Sequence, residues 1–241
     1  MHYKTQTQGN VLSIVETPKL VGGNASGAHR IRRVAPDRPA ETNPGYEGAQ
    51  RPDSGAFHDW TPTGLTAHDE SVEVYSNCGE VTLSLNGKSL GAQNLPPDAA
   101  PRAWHVAFES GANAAACKEG PREELRTANK ASKITLSVDR SRIRNDSDDV
   151  AYVTASVTDD FGLIVPQSAA SMTFRIMGAG MIAAVDSADN TSHEPFQSNS
   201  RHAYDGSCVA VIRASVAGKI AVTASAPGLS SATVSIEAQS K

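Results

Sequence analysis

Residues 72–91 read VEVYSNCGEVTLSLNGKSLG, and their pattern indicates a fold built from β-strands. Apolar residues alternate with polar ones at positions 72 and 74 and again at 81, 83 and 85, as is typical of half-buried strands. The pair Asn86-Gly87 closes the second run, and this dipeptide is a strong local signal for a tight hairpin turn. The stretch therefore predicts two strands and a hairpin turn.

The composition is that of a β-rich protein with small aliphatic cores. The chain has 241 residues with 19 glycines, 13 prolines and 5% aromatic residues, so turns are plentiful. Its net charge of −4 gives no reason to expect a nucleic-acid partner. No apolar run approaches the roughly 18 residues of a membrane helix, and no secretory signal is visible near Met1. We therefore expect neither a nucleic-acid nor a membrane partner.

The first 65 residues predict an irregular, Gly/Pro-rich segment, because neither helical nor strand periodicity persists in them. Their one apolar patch, residues 11–15, would form a short strand if a partner surface exists. The basic cluster Arg30, Arg32 and Arg33 is followed by acidic residues, so a solvated face is favoured over a phosphate site.

The rest of the chain predicts short strands separated by turns. In residues 66–128, Trp104, Val106 and Phe108 alternate on a strand with one apolar face, which predicts a core position for Trp104. In residues 129–241, seven strands are predicted near residues 134–138, 150–157, 172–176, 181–185, 208–212, 220–224 and 232–236. No long amphipathic helix is evident. The fold class is therefore all-β: two consecutive immunoglobulin-like antiparallel β-sandwiches preceded by an irregular N-terminal segment.

Three stretches carry a family resemblance: residues 72–91 quoted above, residues 152–166 (YVTASVTDDFGLIVP) and residues 190–206 with NTSHEPF and RHAYDG. They resemble the two β-sandwich modules that follow the catalytic barrel in many family 2 glycoside hydrolases, the β-galactosidase-like enzymes. The likeness covers roughly residues 57–237. Residues 57–60 only loosely resemble the segment that connects the barrel to the sandwich.

The resemblance implies a non-catalytic accessory C-terminal region of a bacterial β-galactosidase-like enzyme, in truncated or split form. The catalytic glutamates of the family lie on a (β/α)₈ barrel of about 250 residues, and only 56 residues precede Phe57. We therefore expect this chain alone to lack catalytic residues, cofactors and activity. Its expected partner is a glycosidase barrel or an oligosaccharide, and relatives are often periplasmic or secreted. A free-standing carbohydrate-binding or adhesive immunoglobulin-like module is the alternative.

If the barrel is missing, an apolar patch on the first sandwich is expected to promote self-association. His58 and Trp60, in a loop before the first sandwich, are candidate carbohydrate contacts, because an aromatic face suits the apolar side of a pyranose. Core packing of Trp60 is the equally weighted alternative.

His193 and Glu194, with Arg201, form the densest polar group of the sequence. A hydrolytic interpretation would use His193 as a base oriented by Glu194, but no framed serine or reactive cysteine accompanies them. The favoured interpretation is a long structural loop pinned to the sandwich by hydrogen bonds and an ion pair.

Other candidate chemistry is weaker. The acidic pairs at 123–124, 148–149 and 159–160 do not suit a glycosidase, because neighbouring strand residues point to opposite faces, and the last two are better explained as turns. Asp186, Asp189 and Asn190 would supply oxygens to calcium but lack the remaining ligands, so no metal site is predicted. The three cysteines, Cys78, Cys117 and Cys208, have no paired spacing, and buried free thiols are favoured over a disulfide.

Overall fold

The computed structural model describes residues 29–34, 56–98, 100–146 and 148–240, and these residues form strands, turns and bends without a helix. Within them no helix of the length and apolar character of a membrane span occurs. They divide into two compact units. Unit 1 comprises the described residues up to Thr127, and unit 2 begins at Ala128. The all-β fold class is confirmed.

Unit 1 consists of two four-stranded sheets. Its strands are β1 (His29–Val34), β2 (Ala56–Phe57), β3 (Asp69–Ser76), β4 (Glu80–Leu85), β5 (Lys88–Asn94), β6 (Arg102–Ala107), β7 (Ala112–Cys117) and β8 (Arg122–Arg126). One sheet has the order β2-β1-β3-β6 and the other β5-β4-β7-β8. Neighbouring strands are antiparallel throughout both sheets.

The alternation of apolar and polar residues within residues 72–91 corresponds to side chains that face the core of unit 1 and side chains that face away from it. Val72 and Val74 are buried from β3, and Val81 and Leu83 are buried from β4, while the residues between them are more exposed. The predicted turn at Asn86-Gly87 is confirmed: it joins β4 to β5, and both residues have positive φ, as this hairpin turn requires. The two predicted runs lie in different sheets, so they face each other across the core.

The N-terminal segment differs from its prediction. Where we expected irregular chain, β1 pairs with β3 over six residues, and β2 pairs with β1. Ile31 and Arg33 point inwards from β1. The strand was missed because an arginine occupies one of the two inward positions and hides the alternation. The apolar patch at residues 11–15 lies outside the described residues.

Unit 2 consists of a five-stranded and a four-stranded sheet. Its strands are β9 (Lys133–Val138), β10 (Arg142–Arg144), β11 (Val150–Thr158), β12 (Ser171–Gly178), β13 (Gly180–Asp186), β14 (Ser200–His202), β15 (Ser207–Ala214), β16 (Gly218–Ser225) and β17 (Ala232–Gln239). The sheets have the orders β10-β17-β16-β12-β14 and β13-β15-β11-β9. All seven predicted strands are confirmed. The short strands β10 and β14 were not predicted, since three residues are too few to show a period.

Aliphatic side chains from both sheets fill the core of unit 2, with Phe174 as its largest apolar member. Gly178 makes the sharp turn from β12 to β13 possible. Its φ is 96°, and a side chain there would collide with the carbonyl oxygen of Lys219. The turn therefore requires glycine for both conformation and space.

The expectation of three free thiols was wrong for two of the cysteines. Cys78 and Cys117 form a disulfide, with their Cα atoms 6.0 Å apart. Pairing of β4 with β7 places Cys117 opposite Val81, three residues from Cys78. The two are 39 residues apart in sequence, and only the sheet register brings them together. Cys208 is a buried free thiol on β15, as expected.

Candidate functional site

Two polar groups contain the residues that the sequence singled out. In unit 1, Arg30, His58 and Glu123 meet at a sheet edge, and we call them the Glu123 cluster. In unit 2, Asp186, Glu194, Arg201 and His202 meet beside β14, and we call them the Arg201 cluster. Each is described within its own unit.

The Glu123 cluster ties the two sheets of unit 1 together. Glu123 on β8 accepts a 2.5 Å hydrogen bond from the backbone N–H of Ile31 on β1. His58 Nε2 lies 2.9 Å and Arg30 Nη1 3.4 Å from the other carboxylate oxygen. Partial burial raises the pKa of Glu123, but the hydrogen bonds from His58 and Ile31 outweigh it and lower the pKa below its ordinary value. The carboxylate is therefore ionised at neutral pH.

Arg33 extends this polar edge into the core. Its side chain is 1% exposed and donates to Asp59 at 3.1 Å and to Glu70 at 3.3 Å. His68 Nε2 lies 2.8 Å from the same oxygen of the fully buried Glu70. The prediction of a solvated basic face was thus wrong for Arg33, because its charge is neutralised by carboxylates from distant parts of the sequence.

Trp60 is a core residue of unit 1. It is 0% exposed, its indole N–H donates to the carbonyl of Glu109 at 3.0 Å, and its ring lies 5.3 Å from that of Phe108. Burial leaves neither ring face for a sugar, so the structure excludes the stacking contact and favours the alternative of core packing. Trp104 is also buried, as predicted.

His58 remains exposed beside the buried tryptophan. Its side chain is 45% exposed while it contacts Glu123. The polar edge formed with Arg30 is open to solvent, so the carbohydrate contact proposed for His58 stays a prediction.

Arg201 anchors the long loop of unit 2. The guanidinium is 1% exposed and donates to the carbonyl of Glu194 at 2.9 Å, to Ser187 Oγ at 3.2 Å and to Asp186 Oδ1 at 3.1 Å. The ring of Phe196 lies 5.4 Å from the guanidinium carbon. One buried side chain thus holds both ends of residues 187–194 against β14.

The histidine that contacts Glu194 is His202. Its Nδ1 lies 2.9 Å from Glu194 Oε1, and its backbone N–H donates to the other oxygen at 3.2 Å. His193, the sequence candidate for a base, is exposed. Burial raises the pKa of Glu194, but the contacts with His202, followed by the charge of Arg201, lower it below its ordinary value. The contact of His202 with Glu194 could have been inferred from the alternation on β14, which turns Arg201 inwards and His202 outwards.

The remaining acidic candidates have structural contacts. Asp186 is bound to Arg201, and Asp189 accepts hydrogen bonds from the hydroxyl and N–H of Thr191. The described residues contain no group of three or more His, Cys, Asp or Glu arranged to hold a metal ion. Asp159 is buried and accepts N–H bonds from Asn129, Phe161 and Leu163, which confirms the turn interpretation for that residue.

The electrostatics do not favour acid–base catalysis. Every carboxyl group whose pKa is shifted in the described part of the chain is shifted downwards; these groups are Glu123, Asp159, Asp189 and Glu194. A glycosidase requires a carboxylic acid that stays protonated near neutral pH, which needs a raised pKa. In the described residues the contacts of the two clusters hold strands and loops in place.

Comparison with protein families gives two matches, one in each unit. Residues 134–235 match the family described as glycoside hydrolase family 2 C-terminal domain 5. Residues 69–122 match a domain of unknown function, DUF4982. The two matches together fall on both folded units.

Individual relatives agree with these matches. The chain is 35% identical over 188 residues to Beta-galactosidase BoGH2A of Bacteroides ovatus, covering 75% of this chain and 21% of that enzyme. It is 31% identical over 133 residues to a beta-galactosidase of Thermoanaerobacter pseudethanolicus, covering 47% of this chain and 18% of that enzyme. The chain thus spans about a fifth of the length of the curated relatives that it matches.

A solved structure extends the likeness to the fold of most of the chain. It is that of a glycosyl hydrolase family 2 member from Bacteroides cellulosilyticus, with a TM-score of 0.79 and 31% sequence identity. The superposition covers 90% of this chain and 29% of the other. The resemblance identified from residues 72–91, 152–166 and 190–206 is therefore confirmed.

Proposed function

We propose that this chain, a C-terminal region of a family 2 glycoside hydrolase, has an accessory, non-catalytic role in such an enzyme. It supports carbohydrate hydrolysis by a catalytic barrel that the described residues, which form no helix, do not include. Because the matched relatives are named as beta-galactosidases, the proposed substrate class is β-galactosides.

The observation that carries this proposal is that the chain matches about a fifth of the length of its curated relatives, in a region that the matching family model describes as C-terminal. Glu123 and Glu194, the acidic members of the two clusters, are both held as carboxylates by histidine and arginine partners. Ionised, paired carboxylates stabilise a fold but cannot protonate a glycosidic oxygen. Their partners also connect distant strands and loops, which is what a rigid supporting module requires.

The test is a domain exchange in the relative from Bacteroides ovatus. Its region matching this chain is replaced by the 241-residue chain, and the product is compared with the enzyme truncated before that region. A supporting role predicts that the exchanged enzyme regains thermal stability and galactosidase turnover lost on truncation. An unrelated immunoglobulin-like domain of similar length is the control. Equal recovery with that control, or no recovery with this chain, would overturn the proposal.

A carbohydrate-binding role is the second candidate, and the exposed edge formed by Arg30, His58 and Glu123 supports it. These side chains offer hydrogen-bond donors and an acceptor to sugar hydroxyls, next to the half-buried Phe57. Calorimetry and glycan arrays with the wild-type chain and His58→Ala test it. Binding that is weakened by the substitution supports the role, and silence across the glycans counts against it.

Self-association through unit 1 also remains a proposal. The large exposed hydrophobic side chains in the described part of unit 1 are Leu65, Tyr75 and Leu95, which lie on different segments. A contiguous apolar patch would favour association more strongly than separate side chains. Sedimentation velocity at high concentration tests the proposal, and a single monomer species would refute it.

A further inference from the structure

One corner of unit 1 is held by two different linkages. The turn at residues 77–79 connects β3 in one sheet to β4 in the other. Cys78 in this turn is bonded to Cys117 at the end of β7, and Arg102 on β6 donates to the carbonyls of the same turn. The covalent bond and the guanidinium thus fix the same few residues.

Arg102 is an unusual buried charge. Its side chain is 1% exposed, and its described partners are all backbone carbonyls. They belong to Gln93 at 3.1 Å, Ser76 at 3.0 Å, Cys78, and Gly79 at 3.4 Å. A buried guanidinium without a carboxylate depends on these dipoles for its solvation. The charge is therefore tolerated only while the turn keeps its carbonyls pointed at it.

The disulfide is the covalent restraint on that turn. Ser76 Oγ accepts the N–H of Cys78 at 3.2 Å and lies 3.6 Å from Cys117 Sγ, so the hydroxyl also belongs to this corner. A Cβ at Gly120 would lie 3.9 Å from both sulfur atoms, so the loop after β7 packs against one side of the disulfide. Cys78 itself is only half-buried, which leaves a path for a small thiol.

We propose that the Cys78–Cys117 bond makes the stability of unit 1 redox-dependent, while unit 2 is insensitive to reductant. A dithiol gives two electrons and two protons to the bond. The S–S bond breaks, two cysteine thiols form, and the dithiol is oxidised to its cyclic disulfide. The freed turn then no longer holds its carbonyls around Arg102, and unit 1 loses stability. Unit 1 is thereby suited to an oxidising compartment, where such bonds persist.

Unit 2 supplies an internal reference. The described part of unit 2 has one cysteine, Cys208, whose thiol is buried on β15. Burial raises its pKa to about 12, so it forms little of the reactive thiolate. Reduction should therefore leave unit 2 unchanged.

The first test counts thiols in the full chain. Protein made in an oxidising compartment is denatured with N-ethylmaleimide, and the adducts are counted by intact mass spectrometry. One adduct, on Cys208, is expected without reductant, and three are expected after dithiothreitol. Three adducts without reductant would overturn the proposal.

The second test measures stability. Both tryptophans of the chain, Trp60 and Trp104, lie in unit 1, so their fluorescence reports the unfolding of that unit. Dithiothreitol is expected to lower the urea midpoint of this signal by about 1.5 to 2.5 M, as loss of a disulfide closing a loop of this size implies. The Cys208→Ser variant should show the same shift, and the Cys78→Ser/Cys117→Ser variant should match reduced wild type. An unchanged midpoint on reduction of the wild type would refute the proposal.

Discussion

Replacing Trp60 by alanine should destabilise unit 1 severely, because the indole is fully buried in the core of that unit. A tryptophan buries about 150–250 Å², and at about 25 cal/mol per Å² this corresponds to about 4–6 kcal/mol. Alanine retains a small part of this contact, and measured losses for buried aromatic-to-alanine changes are about 3–5 kcal/mol. We therefore expect a loss of about 4 kcal/mol.

Trp60→Phe is the matched control. The smaller ring keeps an aromatic contact with Phe108 but loses the hydrogen bond to the carbonyl of Glu109. Such a bond contributes about 1 kcal/mol, and the smaller ring leaves a modest cavity, so a loss of about 1–2 kcal/mol is expected.

The assay is urea unfolding followed by fluorescence of Trp104, which remains in both variants. With a denaturant slope of about 1.5 kcal/mol per M, Trp60→Ala should lower the midpoint by roughly 2.5 M. The unfolding of unit 2, followed by circular dichroism, should not change. A midpoint within about 0.3 M of wild type would show that Trp60 is not a core residue, and a sugar-binding role for it would have to be reconsidered.

Three further predictions concern charged side chains. Arg33→Met should cost about 3–5 kcal/mol of unit 1 stability, because it leaves the buried carboxylate of Glu70 without its guanidinium. Adding Glu70→Leu to this variant should recover part of the lost stability in the same fluorescence assay. No recovery in the double variant would contradict the assignment of Arg33 and Glu70 as a buried ion pair. Asp159→Ala should lower the free energy of unfolding of unit 2 by about 3 kcal/mol, because three backbone N–H groups lose their charged hydrogen-bond acceptor. Replacing the exposed neighbour, Asp160→Ala, should change this free energy by less than about 0.5 kcal/mol. Equal effects of the two substitutions by calorimetry would refute the predicted difference. The pKa of Glu194 is lowered in the folded state, so its contribution to the stability of unit 2 is present above the ordinary carboxyl pKa and is lost as the pH falls through the lowered value. Glu194→Gln should therefore reduce the fall in the melting temperature of unit 2 between pH 6 and pH 3. An unchanged dependence of the melting temperature on acid pH would count against the pairing of Glu194 with His202 and Arg201.

The strand pattern of both units followed from the sequence wherever apolar residues alternated. Residues 72–85 and the seven predicted strands of unit 2 show this clearly, because a two-residue period directly reflects the two faces of a strand. The turn at Asn86-Gly87 was predictable for a similar reason, since few dipeptides accept two positive φ angles.

What the sequence did not reveal depends on contacts between distant residues. The strand β1 was hidden because Arg33 occupies an inward position, and its partners Asp59 and Glu70 lie 26 and 37 residues away. The disulfide was missed because Cys78 and Cys117 approach only through the register of β4 and β7. No local period encodes such pairings.

The polar clusters were likewise predicted in part: the residue types followed from the sequence, but not all of the contacts between them. The sequence singled out Glu194 and Arg201, and the structure brings them together. It also named His193, whereas His202 is the residue that contacts Glu194. The order of polar residues along a loop does not determine which of them faces the same point in space.

We propose that this chain supports hydrolysis without performing it, and the turnover of a chromogenic β-galactoside by the purified chain alone is the sharpest test of that role. At high protein concentration, the release of nitrophenol is predicted to equal that of buffer, in wild type and in Glu194→Gln alike. Release that rises in proportion to protein concentration and is abolished by Glu194→Gln would show that the chain itself catalyses hydrolysis and would overturn the proposed role.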